Sequence, residues 1–210
     1  MYDDREYKSL ALKYGQFSSW AIWDYNDKAD ASIINQNIDQ LHSRFIFLGL
    51  NISRPLTNNL WTNFHGGTHD RKLKYVCNDS KLRGSYMTDI FKGISEAKSN
   101  KFKHLLTEKI IRKNVDLFNQ EMKDIKINNK TQFIILGSLT SKYFNKYFKQ
   151  GYKNNIVYHS HYSYYGIKDR EWVKGLWKKL KINKNFDLTV KKYKQTGHYS
   201  HNNLHKHKKI

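Results

Sequence analysis

The amino-acid sequence predicts an α/β fold in which helices cover both faces of a parallel or mixed sheet. Short apolar runs alternate along the chain with segments of helical character, and this alternation is typical of βα units. The first clear run ends in Gly49-Leu50-Asn51, and a later one is followed by His159-Ser160-His161. Open α/β sheets bind their ligands where the carboxyl ends of strands meet polar residues. With 210 residues, the chain is long enough for one core and one domain.

Four runs of apolar, β-branched and aromatic residues are the predicted strands. In chain order they cover residues 44–50, 85–90, 131–137 and 155–158. Residues 18–24, which precede them, are predicted to form a short buried segment. Strands alternate with helical segments along the chain, so the predicted sheet has four strands and is mainly parallel.

Four further segments are predicted helices. In chain order they cover residues 32–42, 102–125, 138–149 and 168–181. The second is the longest, and its apolar residues recur at helical spacing, which predicts an amphipathic helix. Ser138 or Thr140 is a candidate N-cap of the third.

Residues 51–85 form the longest stretch without clear periodicity. It contains turn-forming residues, among them Gly66-Gly67, together with Trp61, Phe64 and His65. A loop of this length in a compact domain is usually either functional or disordered. Its aromatic residues are unusual for plain disorder, and they favour a functional loop.

The charge of the chain points to a polyanionic partner. Lys and Arg number 38 against 18 acidic residues, giving a formal net charge of +20, which nucleic-acid phosphates would neutralise. A Lys-rich proteome would produce the same basicity, but 15% of the residues are aromatic, which suits contact with unstacked bases. No run has the apolar length of a membrane span, and the N-terminus does not resemble a signal peptide. We therefore expect DNA, double- or single-stranded, as the partner rather than a membrane, and a monomeric protein.

Cys77 is the only cysteine. A single cysteine excludes an intramolecular disulfide, a multi-cysteine zinc site and an all-cysteine iron–sulfur cluster. A lone cysteine is more often a small buried hydrophobic residue than a nucleophile. We expect a reduced, cytoplasmic protein.

The predicted domain covers residues 1–194, and residues 195–210 are a basic tail. The tail is rich in His and Lys and has almost no apolar residues. We expect a flexible arm that contacts phosphates and carries no chemistry.

Four short motifs occur in a recognisable order. They are Leu48-Gly49-Leu50-Asn51 followed by Pro55, then Tyr86 to Lys92, then Phe133 to Gly137, then His161-Tyr162-Ser163. Each motif is short, but together they resemble the uracil-DNA glycosylase superfamily over roughly residues 40–165. The resemblance implies a three-layer α/β/α sandwich. It also implies a monofunctional DNA glycosylase that flips a nucleotide out of DNA and hydrolyses its N-glycosidic bond, without a metal or organic cofactor.

The resemblance also implies roles for individual residues. Asn51 would orient the attacking water, which an amide cannot deprotonate, and His161 would donate a hydrogen bond to the leaving base. Phe64, or Trp61, would stack on the flipped base. The expected pocket residues besides these are Asn63, His65 and Thr88, and the expected phosphate contacts are Ser163 and Arg54.

The chain departs from the superfamily pattern at both motifs. The first lacks the adjacent Pro and Gly of several branches, and the second has Tyr162 where Pro is usual. His159 is a competing motif histidine, predicted on the same strand face as His161, although only His161 has Ser two residues later. We therefore expect a remodelled pocket for a uracil-like or modified pyrimidine, in repair or in defence against modified phage DNA.

Two other function classes fit parts of the sequence. His65, His69 and Asp70, with His159 and His161, are candidate ligands of a metal-dependent nuclease, although their spacing matches no tight consensus. The other class is a basic module that binds nucleic acid without catalysis. Chelator sensitivity and the chemistry of the product distinguish these classes from a glycosylase.

Overall fold

A five-stranded sheet forms the middle layer of the computed structural model, which describes residues 2–24, 31–52, 59–67, 69–96, 98–153 and 155–194. The strands are β1 (Ser18–Trp20), β2 (His42–Asn51), β3 (Ser85–Phe91), β4 (Gln132–Leu136) and β5 (Asn155–His159), in the order β1-β3-β2-β4-β5. The last four run parallel, and only β1 pairs antiparallel, at the edge beside β3. The predicted three-layer α/β/α sandwich is confirmed.

The strand count is the one difference in the sheet, five strands rather than four. The segment Ser18–Trp20 is fully buried and pairs with Tyr86 to Thr88 of β3. Three residues are too few to show a period of two, so only the tertiary pairing identifies this segment as a strand.

The helices lie on both sides of the sheet. In chain order they are α1 (Asp4–Tyr14), α2 (Ser32–Asn35), α3 (Asp70–Cys77), α4 (Ser99–Leu105), α5 (Glu108–Asp124), α6 (Ser138–Tyr143) and α7 (Asp169–Lys179). A 3-10 turn (Ile38–Gln40) follows α2, a π-helical turn (Phe144–Phe148) extends α6, and residues 186–194 are helical.

Three predicted segments differ from the structure. The helix predicted over 102–125 is two helices, because Thr107 ends the turn after α4 and caps α5 by accepting from the Ile110 N–H (3.3 Å). The helix predicted over 32–42 ends at Asn35, and a 3-10 turn follows it before β2 begins at His42. The long unpatterned stretch 51–85 contains α3.

Alternate residues of the central strands pack into two cores. Ile46 and Leu48 of β2 face α1, α5 and α6, whereas Phe47 faces α3 and α7. This alternation is the period-two geometry of a strand. It decides which side chains near the strand ends can reach a common site.

The crossovers leave a crevice at the carboxyl end of the sheet. From β2 the chain passes through α3 to β3, and from β4 it passes through α6 to β5, in the opposite direction along the sheet. The neighbouring strands β2 and β4 therefore form the topological switch point, where α/β folds bind ligands.

None of the helices in the described part of the chain is long and apolar enough to cross a membrane.

Candidate functional site

A cavity of about 610 Å³ occupies this crevice. Its walls come from the ends of β2 and β4, the segment after β5, the start of α3 and the segment after β3. The lining residues used below are Asn51, His69, Gly137, His161, Tyr162 and Ser163, with Tyr164 and Tyr165 at the rim. The structure thus brings Asn51 and His161, predicted from separate motifs, to one cavity.

Asn51 is the last residue of β2, and its side-chain amide is anchored. Its Nδ2 donates to the carbonyls of Ile52 (3.0 Å), Ile94 (3.2 Å) and Glu96 (2.9 Å). Its Oδ1 accepts no hydrogen bond from any residue that the structure describes. The amide is therefore held in one orientation, with the oxygen as the group that can accept from a ligand or water.

His161 is held by Ser163, two residues further along the chain. The Ser163 backbone N–H donates to His161 Nδ1 (3.2 Å), and the Ser163 hydroxyl lies 2.7 Å from the same nitrogen. Because a backbone N–H can only donate, Nδ1 is the acceptor and the proton of the neutral ring is on Nε2. Nε2 has no hydrogen-bond partner within the described ranges, so the ring can donate one hydrogen bond to a ligand.

The imidazole of His161 is neutral at physiological pH. Burial, with smaller contributions from the nearby charges of His69 and Lys72, lowers its pKa to about 4. Gly137 allows the backbone of β4 to approach this closely, because a Cβ there would lie 3.3 Å from the His161 Cβ, and its φ of 97° suits glycine.

His159 faces away from the cavity. It ends β5, its Nε2 donates to the Trp172 carbonyl of α7 (2.9 Å), and its ring packs against the Trp172 indole. The expectation that His159 and His161 share a strand face is wrong, because β5 ends at His159 and His161 lies beyond the strand. Of the two candidates, only His161 lines the cavity.

Phe64 is buried beneath β2 rather than in the cavity wall. Its ring lies close to Gly49, where a Cβ would be 3.4 Å from Phe64 Cε1, and it contacts Tyr162 with 6.3 Å between ring centroids. Tyr162 lines the cavity beside His161, on which it stacks with 4.5 Å between ring centroids. The sequence contained this signal in the replacement of the usual Pro by Tyr.

Asn63 lies beside a buried acid. Its Nδ2 donates to Asp89 Oδ2 (2.9 Å) and to the Phe17 carbonyl (2.9 Å). Gly49 makes room for this acid, because a Cβ at Gly49 would lie 2.2 Å from Asp89 Oδ1. Burial raises the pKa of Asp89 to about 6, although the hydrogen bond from Asn63 acts in the opposite direction.

The structure does not bring Thr88, His65 or Trp61 to the cavity. Thr88 points to the other face of the sheet, where its hydroxyl donates to Glu121 of α5 (2.9 Å). His65 is buried and stacks on Trp23 at 5.0 Å. Trp61 is buried in the core formed with α1. These side chains pack in the protein interior, where they cannot contact a base in this cavity.

The two expected phosphate contacts have different outcomes. Ser163 lines the cavity, but its hydroxyl is engaged by His161, so the structure gives it an orienting role. Arg54 lies outside the described residues, as do its neighbours Ser53 and Pro55 and the tail 195–210.

The rim of the cavity carries exposed aromatic side chains. Tyr164 is 56% exposed and Tyr165 85% exposed. Tyr165 is held edge-on against His69, with 4.8 Å between ring centroids. Exposed rings at the mouth of a polar cavity are suited to stacking on bases.

The candidate metal ligands do not form a cluster among the described residues. The described residues contain no group of three or more His, Cys, Asp or Glu side chains placed to hold a metal ion. His65, His69 and Asp70 are near in sequence, but His65 is buried against Trp23 while His69 lines the cavity. Cys77 is fully buried, and burial raises the pKa of its thiol well above its usual range, so it is not a nucleophile.

Comparison of the chain with protein-family models, with curated proteins and with solved structures finds no match. The geometry of the cavity and the residues of the sequence motifs that line it are therefore the basis for a functional proposal.

Proposed function

We propose that the protein is a monofunctional DNA glycosylase that excises a uracil-like or modified pyrimidine and leaves an abasic site. One observation carries the proposal. A neutral histidine with its Nε2–H available and an asparagine with its Oδ1 available line the same cavity, each oriented by hydrogen bonds from or to the backbone. These are the donor and the acceptor that the reaction needs.

The chemistry assigns one role to each side chain. As the N-glycosidic bond breaks, negative charge develops on the base and positive charge on the sugar. His161 Nε2–H donates to the base oxygen that gains negative charge. Asn51 Oδ1 accepts from a water molecule and directs its oxygen to the sugar carbon. Because an amide takes no proton, the water loses its proton to the departing base or to solvent after attack.

Charge and rim composition support DNA as the substrate. The net charge of +20 favours the phosphate backbone, and the exposed rings of Tyr164 and Tyr165 can stack on bases beside a flipped nucleotide. A cavity of about 610 Å³ lies within the ~300–1,000 Å³ typical of ligand sites, so a pyrimidine with a bulky substituent fits. Repair and defence against modified phage DNA are both compatible with this substrate class.

We place this activity in the cytoplasm and assign it to a monomer. The support for the compartment is the single thiol, which is buried in the core and leaves the fold independent of disulfides. The support for a monomer is that one chain supplies both Asn51 and His161 to the cavity.

The experiment is a strand-break assay on oligonucleotides that contain uracil or 5-hydroxymethylcytosine, single-stranded and duplex, run in parallel with and without chelator. We expect breaks only after alkali treatment. Breaks before alkali, abolished by chelator, would identify a nuclease, and intact DNA on every substrate would leave only the binding module. His161→Gln should lower the rate by about 10²–10³-fold, the usual cost of removing such a donor. His159→Gln, outside the cavity, is the matched control and should keep most of the activity.

A further inference from the structure

Lys72 is a buried cation behind the cavity wall. It lies on α3 and is only 2% exposed. Its Nζ donates to the carbonyls of Tyr164 (3.0 Å) and Ile167 (2.9 Å). Both carbonyls belong to the segment that follows His161, so one ammonium group fastens this segment to α3.

A buried ammonium is costly unless it is paired or fully hydrogen-bonded. A neutral side chain, or a backbone contact, would fasten the segment without that cost. Asp169 is the acidic residue whose charge acts on Lys72, and its carboxylate is itself paired with Arg71. The residues that the structure describes thus compensate the positive charge at Lys72 poorly, and a function that uses the charge accounts for its presence.

The charge reaches the catalytic cavity. The Lys72 Nζ lies 3.0 Å from the carbonyl of Tyr164, a residue that lines the cavity. The same positive charge contributes to the lowered pKa of His161. The same potential that disfavours a proton on the imidazole favours negative charge on a ligand beside it. In a glycosylase that ligand is the departing base.

We propose that Lys72 is a positioning residue that holds the 161–167 segment and whose fixed charge stabilises the negative charge on the leaving base. This inference rests on the proposed glycosylase function and adds a second source of leaving-group stabilisation to the hydrogen bond from His161. The ammonium acts across the segment that it holds, through the electrostatic potential in the cavity.

The role predicts a dependence on the leaving group that a purely structural lysine does not produce. A fluorine at C5 of uracil withdraws electrons, so the 5-fluorouracil anion is the better leaving group and needs less stabilisation. If Lys72 stabilises the anion, its loss should slow the release of uracil more than the release of 5-fluorouracil. A loosened segment alone would slow both to the same extent.

The test measures single-turnover rates of base release from two oligonucleotides that differ only in uracil or 5-fluorouracil. We expect Lys72→Met to lower the rate of uracil release by about tenfold or more, a loss smaller than that of a direct donor. The fold-loss in the rate of 5-fluorouracil release should be at least three times smaller than the fold-loss for uracil. Lys72→Arg, which keeps the charge, should retain the wild-type ratio of the two rates. If Lys72→Met does not fold, Lys72→Gln replaces it, because its neutral amide can still donate to a carbonyl.

Lys74 provides the matched control. It lies on the same helix, is also buried, and its Nζ donates to the Asp24 carbonyl (3.1 Å) rather than to the segment after His161. Lys74→Met should leave the ratio of the two rates unchanged. Equal losses on both substrates in the Lys72 variants would overturn the inference while leaving the glycosylase intact. A wild-type protein that releases neither these two bases nor 5-hydroxymethylcytosine would overturn the proposed function and this inference together.

Discussion

Replacing the buried acid Asp89 by Asn should change stability in a way that depends on pH. Burial raises the pKa of Asp89 from 3.8 to about 6. Each pKa unit corresponds to about 1.4 kcal/mol, so keeping this carboxylate ionised in the folded protein costs about 3 kcal/mol at most. The cost is absent below pH 3.8, where both the folded and unfolded states are protonated, and it is complete above pH 6.

The Asp89→Asn protein does not carry this cost at any pH. Its side chain can still accept from Asn63, but its new NH₂ group lies in the tight space beside Gly49. An unsatisfied NH₂ would lower stability by ~1–3 kcal/mol, and by the same amount at every pH. The pH-dependent part of the effect is therefore the informative quantity, because a constant packing penalty cancels from it.

The assay is urea unfolding of wild type and Asp89→Asn at pH 4.5 and pH 7.5. We expect the free energy of unfolding of the variant, relative to wild type, to rise by about 1–3 kcal/mol between the two pH values. Asp116→Asn, on the exposed surface of α5, controls for the loss of one negative charge. A relative stability that stays constant, or that rises toward acid, would refute the assignment of a buried acid at this position.

Two further predictions concern other buried ionisable side chains. Burial lowers the pKa of His42, His159 and His161 to about 4 each. The unfolded state takes up these protons from pH 6.5 downward, so the free energy of unfolding is largest above pH 6.5 and falls as the pH decreases toward 4. We expect the melting temperature to fall by about 5 °C or more between pH 7 and pH 5, and a flat profile by calorimetry would contradict these histidine environments. Lys92→Met should lower the free energy of unfolding by ~3–5 kcal/mol, because it leaves the fully buried carboxylate of Glu121 without its ion-pair partner. Adding Glu121→Gln should recover part of that loss in urea unfolding, and no recovery would mean that the loss has another cause.

The sequence predicted the four parallel strands and the cavity residues at their ends because these depend on local patterns. The runs that became β2 and β4 are continuous and apolar, which is typical of strands buried on both faces. Asn51 follows directly from the end of β2, and His161 from the segment after β5. The meeting of these residues at one cavity follows from parallel topology.

The pocket residues predicted away from the strand ends depend on information that the sequence does not contain. Thr88 and Asp89 are neighbours on β3, and a shift of one residue exchanges the faces to which they point. Thr88 contacts Glu121 on one side, and Asp89 contacts Asn63 on the other. Phe64 lies in an irregular loop with a positive φ of 68°, where no periodicity indicates the direction of its side chain.

The pairing of His161 with Ser163 was visible only as a spacing of two residues. The structure adds the direction of the hydrogen bond, and with it the tautomer of the imidazole. It also reveals Lys72, which no motif indicated, because a lysine in an amphipathic helix is normally solvated. Burial of its ammonium depends on the packing of α3 against the segment after β5.

The central claim is that Asn51 and His161 hydrolyse an N-glycosidic bond in DNA. Mass spectrometry of the intact oligonucleotide after incubation tests it most directly, with uracil-containing and 5-hydroxymethylcytosine-containing strands as substrates. We predict a product that has lost one base and gained one water molecule, with the backbone uncut, for the wild type, and little of it for Asn51→Ala and His161→Gln. Shorter fragments, an unchanged mass on both strands, or as much product from either variant as from the wild type would contradict the claim.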